Sequence, residues 1–408
     1  MKELKGHLSF FKNQHSIYMI IDIFLNGIIF LLSFYMSWMF SQGEFGKLNA
    51  LLSFLALTYV LGLSFQMYVT KVVQTNESNF VDILESAKKL VFLLLVPFLL
   101  VTPILSYFLK ATPISVGIIG LITATSIFLC MERGIIQGQE RFIHLSISLC
   151  IDIGIKSIVI VPLLLVTTSI PLVLLATLLG HLGAYIFCRI INRHHYNREK
   201  IFQTKFIVIY RSIWSIFTAQ FFFYFFTSID MVIVNHYLTE KAGIYAITIK
   251  LGQLYLTFGL ALLFLWFPKM VREKGDRIKL KKSVIKCLTL VLFGGCLLSI
   301  LYHIWVSKWI VFFFPTDYIE IQKYIGFSGL IYTFLLVSII LTHFFIAYDS
   351  KRYIKVFAFV AVFYLTLTSC FHDKLIHVMV VQLLTYLLMA MLLLYNFFNL
   401  SEKEGNLQ

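Results

Sequence analysis

Charge is what this sequence has least of. Only 13% of its 408 residues are Asp, Glu, Lys or Arg, against 59% hydrophobic, and phenylalanine alone occurs 41 times. No water-soluble domain needs that much apolar surface, and the apolar residues come in long continuous runs, so a polytopic membrane protein is expected. Acidic residues are scarcer than basic ones, 20 against 34, for a net charge of +14. In a soluble chain that excess would suggest nucleic acid as a partner; here it follows membrane topology, and no nucleic-acid partner is expected. A CxxC pair is also missing. The six cysteines (Cys130, Cys150, Cys188, Cys287, Cys296, Cys370) sit in or beside apolar runs with no histidine at metal-site spacing, which reads as small buried hydrophobes and no metal. Without a Gly-rich phosphate loop or a catalytic constellation, the chain is expected neither to hydrolyse ATP nor to be an enzyme, and no cofactor is implied. The start is basic (Lys2, Lys5, Lys12), but the first apolar run is too long for a signal peptide and lacks a small-residue cleavage site, so it reads as the first span.

Twelve spans follow from the apolar runs, each near the ~20 residues that cross a bilayer as helix. They run from Ser16 to Phe40, Phe45 to Val69, Lys89 to Leu109, Pro113 to Met131, Phe142 to Val166 and Pro171 to Cys188 in the first half. A basic linker, 191–205, precedes the second half. There the spans start near Phe206 and at Gly243, Val284, Tyr324, Tyr353 and Leu375, the last ending at Phe398. Trp309 to Pro315 is apolar but too short to cross, and is expected to lie at the interface. The basic residues test this count. Segments on one side hold 25 Lys and Arg, those on the other hold 6, and 3 lie inside spans. That asymmetry supports twelve spans with both termini in the cytoplasm. Trp38, Trp266, Trp305 and Trp309 fall at span ends, as an interfacial belt requires.

The two halves, 1–190 and 206–408, look like copies of one six-span unit. Gly46 to Lys71 spans 25 residues and Gly243 to Lys269 spans 26, each stretch opening and closing the second span of its half. Gln139-Glu140-Arg141-Phe142 enters span five much as Ser350-Lys351-Arg352-Tyr353 enters span eleven. Six spans per copy is an even number, so the copies are parallel. Proteins built this way bind their cargo between the halves and expose it to alternate sides.

Ionisable residues inside the spans are the best pointers to function, because each costs about 3 kcal/mol on insertion scales and is normally paired or faces water. Asp230 in span seven and Lys250 in span eight lie equally far from the turn near Glu240, so a hairpin puts them at one depth. Asp152 and Lys156 are four apart in span five, on one helical face and about 15 and 21 Å in from Phe142. Asp22, with Asn26 one turn on, and Arg211, a turn or two into span seven, lie nearer the cytoplasmic side. A structural reading stands beside the functional one for each. Asp230 and Lys250 either pair to lock the hairpin or line a cavity, and Asp152 and Lys156 either neutralise each other or face that cavity. Asp22 either bridges to Lys156 or Arg211 or binds a coupling cation, and Arg211 either snorkels or meets the cargo. The histidines His181, His303 and His343, one per span, read as hydrogen-bonded interface residues rather than a proton relay.

The segment GEFGKLNALLSFLALTYVLGLSFQ followed by Thr70-Lys71 resembles polysaccharide transporters of the multidrug/oligosaccharidyl-lipid/polysaccharide (MOP) flippase superfamily. So do Gly138-Gln139-Glu140-Arg141-Phe142, Asp230, Ala242-Gly243-Ile244-Tyr245 and Phe314-Pro315-Thr316-Asp317-Tyr318. The resemblance implies an all-α membrane fold of about 12 helices in two parallel six-helix lobes forming a V. It also implies outward flipping of a polyprenyl-diphosphate-linked oligosaccharide for O-antigen, capsule or related glycans, in a cytoplasmic (inner) membrane. Lys250, Asp230, Lys156, Asp152, Arg211 and Asp22 are the expected cavity residues. Expected partners are the lipid-linked oligosaccharide, membrane lipids, H+ or Na+ as coupling ion, and glycan polymerase machinery. A cation-coupled multidrug exporter of the same superfamily is the first alternative. The three embedded bases match the three embedded acids, which tilts the reading toward anionic cargo. A glycan polymerase or ligase is the second, but the longest outer loop, Val306 to Lys323, holds no arginine.

Overall fold

A computed structural model describes residues 14–75, 80–196, 206–272, 277–347, 350 and 352–403. Among these residues every regular element is helical. The helices are α1 (Gln14–Met39), α2 (Gln42–Thr75), α3 (Phe80–Leu109), α4 (Pro113–Gly138), α5 (Phe142–Val166), α6 (Ile170–Tyr196), α7 (Phe206–Tyr237), α8 (Ala242–Arg272), α9 (Arg277–Leu301), α10 (Ser307–Phe313), α11 (Ile321–Ala347), α12 (Arg352–Cys370) and α13 (Leu375–Lys403). Each of the twelve expected spans corresponds to one of these, and α10 overlaps the short apolar piece from Trp309 to Pro315. Ten helices are long and apolar enough to cross a membrane, and the bent α7 makes an eleventh if its two arms, at 47° to each other, form one span. α8, the remaining expected span, is 31 residues long. The chain is thus a multi-pass membrane protein. The N-terminal lysines, residues 197–205 of the basic linker, Lys274 and Lys351 lie outside the described residues.

Local chemistry sets several helix ends. Ser41 and Glu44 form a capping box: Glu44 Oε2 accepts from Ser41 Oγ at 2.8 Å while Ser41 Oγ accepts from the Glu44 N–H. Thr112 caps α4, its hydroxyl accepting from Ser115 N, and Pro113 occupies the first turn where no N–H is needed. Lys110 and Glu140, the links into α4 and α5, adopt φ of 49° and 58°, which turns the chain within two or three residues. After α9 the backbone runs through a π-turn, Tyr302–Val306, into α10. Trp305, Trp309 and Phe312 are exposed there.

The chain packs as two compact units, Met1–Ile229 and Asp230–Gln408. In the first, α2 lies along α4, α4 also packs on α6 and α3, and α6 packs on α5. In the second, α8 lies along α11, α11 also packs on α13 and α9, and α13 packs on α12. Second on fourth, fourth on sixth and third, sixth on fifth: these four pairings recur in both, while the first unit adds α1 on α5. α4 and α11, the fourth span of each unit, are the most enclosed helices. A close approach repeats too. Gly62, sixteen residues after Gly46, lies where a Cβ would come within 3.0 Å of the Ser126 carbonyl on α4. Gly259, sixteen after Gly243, lies against Leu336 on α11. In lipid, apolar burial gives helices little reason to associate, so small residues and polar contacts must do it. α3 shows the consequence, presenting Phe92, Leu100 and Tyr107 outward at 74 to 80% exposure.

Candidate functional site: two buried polar clusters

The first unit holds a buried charge cluster built from three helices. Asp152, ten residues into α5, is its hub. Its Oδ1 lies 2.7 Å from Lys156 Nζ and 3.3 Å from His181 Nδ1 on α6, and its Oδ2 accepts from Arg133 Nη2 on α4 at 3.2 Å. Arg133 is fixed further: its Nε donates to Ser148 Oγ at 3.0 Å and its Nη2 to the Ser148 carbonyl at 3.2 Å. The His181 Nδ1 also sits 3.0 Å from the Thr177 carbonyl, and with acceptors on both sides that nitrogen carries the proton. The ring stands edge-on to Tyr59, whose hydroxyl accepts from Cys130 Sγ. α6 comes this close because residue 180 is glycine. A Cβ there would lie 2.5 Å from the Asp152 carbonyl and 2.9 Å from Lys156 Cγ. Side-chain exposures separate the members: 5% for Arg133, 7% for Asp152, 6% for His181 and 19% for Lys156.

One residue earlier on α4, Glu132 faces the other way and is fully buried. It accepts from Arg189 Nη1 at 3.1 Å and from Asn192 Nδ2 at 2.8 Å, both on α6. The adjacent opposite charges of Glu132 and Arg133 therefore bind α4 to α6 and α5. This corrects the expected end of the fourth span at Met131. Arg133 is not a linker residue; α4 continues to Gly138, and Ile135 and Ile136, both buried, carried the signal for that extra turn.

The second unit centres on Asp230, fully buried on α7. Gln382 Nε2 on α13 donates to its Oδ2 at 2.9 Å and also reaches Tyr386 Oη at 3.2 Å. Tyr245 Oη on α8 lies 2.7 Å from the same Oδ2 and 2.9 Å from Gln382 Oε1, so its single proton serves one or the other. Asp230 Oδ1 is buried with no hydrogen-bond partner among the described residues. Tyr245, Tyr332, Tyr364 and Tyr386 are all fully buried in this unit. Of the two readings for Asp230 and Lys250, the hairpin lock gives way to these neutral partners of Asp230. The two do lie at matching depth, seven residues from the end of α7 and eight from the start of α8, or about 11 and 12 Å. Lys250 is half-buried.

Two expectations fall away from the clusters. Asp22 is half-buried on α1 and enters no ion pair among the described residues; the partner of Lys156 is Asp152. Arg211 is exposed on the second turn of α7. His343 Nδ1 sits 2.8 Å from the Ile339 carbonyl, a hydrogen bond within its own helix. Tyr245, Gln382, Glu132 and Arg133 were not anticipated.

No family model and no curated protein matches the chain. Solved structures match by fold. An inward-facing multidrug resistance transporter of the MATE family, in the MOP superfamily, superposes with TM-score 0.74 at 10% identity, over 92% of this chain and 95% of that one. The lipid II flippase MurJ in an inward closed conformation gives TM-score 0.70 at 13% identity, over 93% and 87%. A MOP superfamily transporter from Pyrococcus furiosus Vc1 (DSM3638), whose binding pocket is described as reversed in polarity, gives 0.62 at 11%, over 96% of both chains. At these identities the likeness is one of fold: the all-α, MOP-type membrane fold spans nearly the whole chain.

Proposed function

We propose that the chain is a flippase that moves an anionic, polyprenyl-diphosphate-linked oligosaccharide out across the cytoplasmic (inner) membrane, for assembly of an O-antigen- or capsule-type glycan. Both termini would face the cytoplasm, and glycan polymerase machinery would take the product. The observation that carries this reading is the charge balance of the Asp152 cluster. Arg133 and Lys156 bring two fixed cations to one carboxylate, leaving a surplus positive charge before His181 is counted. A surplus cation deep in a span is costly unless something negative joins it. A diphosphate headgroup supplies that charge, while its prenyl tail stays in lipid. Lys156, the most accessible member, is the contact, and Arg133 anchors the Asp152 carboxylate beside it. Asp230 takes the coupling role: a buried carboxylate with neutral donors and one unpartnered oxygen suits a travelling H+ or Na+. Lys250, Arg211 and Asp22 are secondary candidates for contact with the headgroup or the ion.

The fold likeness to the lipid II flippase supports the class, and the likeness to multidrug transporters keeps a second reading, cation-coupled drug export, which Asp230 would serve equally well. Deleting the gene separates them. Build-up of lipid-linked oligosaccharide on the cytoplasmic leaflet is expected for the flippase; drug hypersensitivity with normal surface glycan would indicate the exporter. Build-up of single unpolymerised units outside would indicate a polymerase. In proteoliposomes, Lys156→Gln should reduce flipping at least about tenfold, equivalent to ~1.4 kcal/mol of lost binding, with the protein still inserted. Wild-type flipping by that variant would remove Lys156 from the site.

A further inference from the structure

We propose that Asp152 is a built-in stand-in for the anionic cargo: it occupies Lys156 when no cargo is bound and gives the lysine up when a diphosphate arrives. The idea rests on the anionic-cargo reading and adds a regulatory role for one carboxylate. Two observations carry it. The first is redundancy, because Asp152 contacts Lys156, Arg133 and His181 together, when one buried cation would balance it. Losing Lys156 leaves the carboxylate still paired with Arg133 through Oδ2, with the His181 ring 3.3 Å from Oδ1, so release does not strand a bare buried charge.

The second observation is the difference between the two cations. Arg133 is pinned by both its Nε and its Nη2 to Ser148 and is almost wholly enclosed. Lys156 is bound to the hub by its terminal nitrogen, on a flexible four-carbon stem, and is the most exposed member. One cation is fixed and the other is able to change partner.

In this arrangement cargo and Asp152 compete for one ammonium. The carboxylate screens the cluster when it is empty, which sets a threshold that stray inorganic anions do not cross. A diphosphate, with more charge and more acceptor oxygens, does cross it.

The test is binding of farnesyl diphosphate to the full-length protein in detergent. Asp152→Asn should bind it about tenfold more tightly than wild type, since the competing charge is gone while the shape is kept. Lys156→Gln should bind it at least tenfold more weakly, and the double variant should be no tighter than Lys156→Gln alone. A carboxylate with a purely structural role would give unchanged or weaker binding in Asp152→Asn, which overturns the proposal. Because Asp152→Asn could unfold, a second measurement uses the wild type. A carbodiimide should join Lys156 to Asp152 as a lactam detectable by mass spectrometry, and saturating farnesyl diphosphate should suppress it. A lactam yield indifferent to the ligand also overturns the proposal. If wild type binds no diphosphate at all, the anionic-cargo reading itself fails; if it binds normally and only the Asp152 responses are missing, the stand-in alone fails.

Discussion

Arg133 shows how one side chain can matter more to the fold than its more visible neighbours. It makes three hydrogen bonds inside α4 and α5 and is the fixed cation of a buried carboxylate. Breaking a buried pair by removing one partner typically costs 3–5 kcal/mol, and here Lys156 and His181 remain to soften the loss. Arg133→Met should therefore destabilise by about 2–3 kcal/mol, whereas Lys156→Met, at a part-exposed position with Arg133 still present, should cost under about 1 kcal/mol. Thermal unfolding of the two variants in detergent measures both; equal losses would mean that the two cations are not distinct. Asp152 and Lys156 were legible in the sequence, since a charged pair four apart in an apolar run stands out by itself. Arg133 was not, because the apolar run of the fourth span stops at Met131, and a buried charge at a helix end looks like a linker residue. Tyr245 and Gln382 were invisible for another reason: neutral polar side chains barely change the hydropathy of a span, and only the fold brings them to Asp230.

At the scale of the helices, the run of one span beside another depends on residues without side chains more than on apolar burial. The α2–α4 seam passes through Gly62, where an added methyl would press a backbone carbonyl on α4 as well as Cys130 Sγ. Neither the carbonyl nor a buried sulfur can move far. Gly62→Ala should cost about 1–3 kcal/mol by overpacking. Gly117, within α4 and with nothing inside 4 Å of its would-be Cβ, should instead gain roughly 0.5–1 kcal/mol on the same change through helix propensity. Opposite shifts in melting temperature for the pair would establish that close approach, and not glycine as such, holds the seam. The helices themselves were readable, because apolar runs of span length have few other outcomes, but several ends lay about two turns away: α3 starts at Phe80 where Lys89 was expected, and α6 ends at Tyr196 where Cys188 was. Their ends ran past the apolar residues wherever polar side chains found partners: α6 continues to Tyr196 with Asn192 bonded to Glu132, and α4 continues through Arg133.

Across the whole molecule, two units share four helix pairings and yet treat their central carboxylates differently. The repeat was visible in the spacing from Gly46 and from Gly243, but the division of chemistry was not, since both halves carry an embedded acid and an embedded base. In the first unit Asp152 is met by covalently attached cations; in the second Asp230 accepts from Tyr245 and Gln382, which bring no charge. A carboxylate of the second kind lowers its own cost by taking up a proton or a small cation, and that makes it responsive to an ion gradient. Asn at position 230 keeps an oxygen for both donors but carries neither proton nor cation. Asp230→Asn should thus leave the protein folded and leave cargo exchange at equal concentrations intact, while gradient-driven accumulation in proteoliposomes falls at least about tenfold. Accumulation and exchange lost together would place Asp230 in cargo handling, and accumulation undiminished would return it to a structural part. Because the predicted loss is confined to uphill transport, it separates coupling from binding. The Lys156→Gln variant should fail in the reverse pattern, with exchange and accumulation falling in parallel.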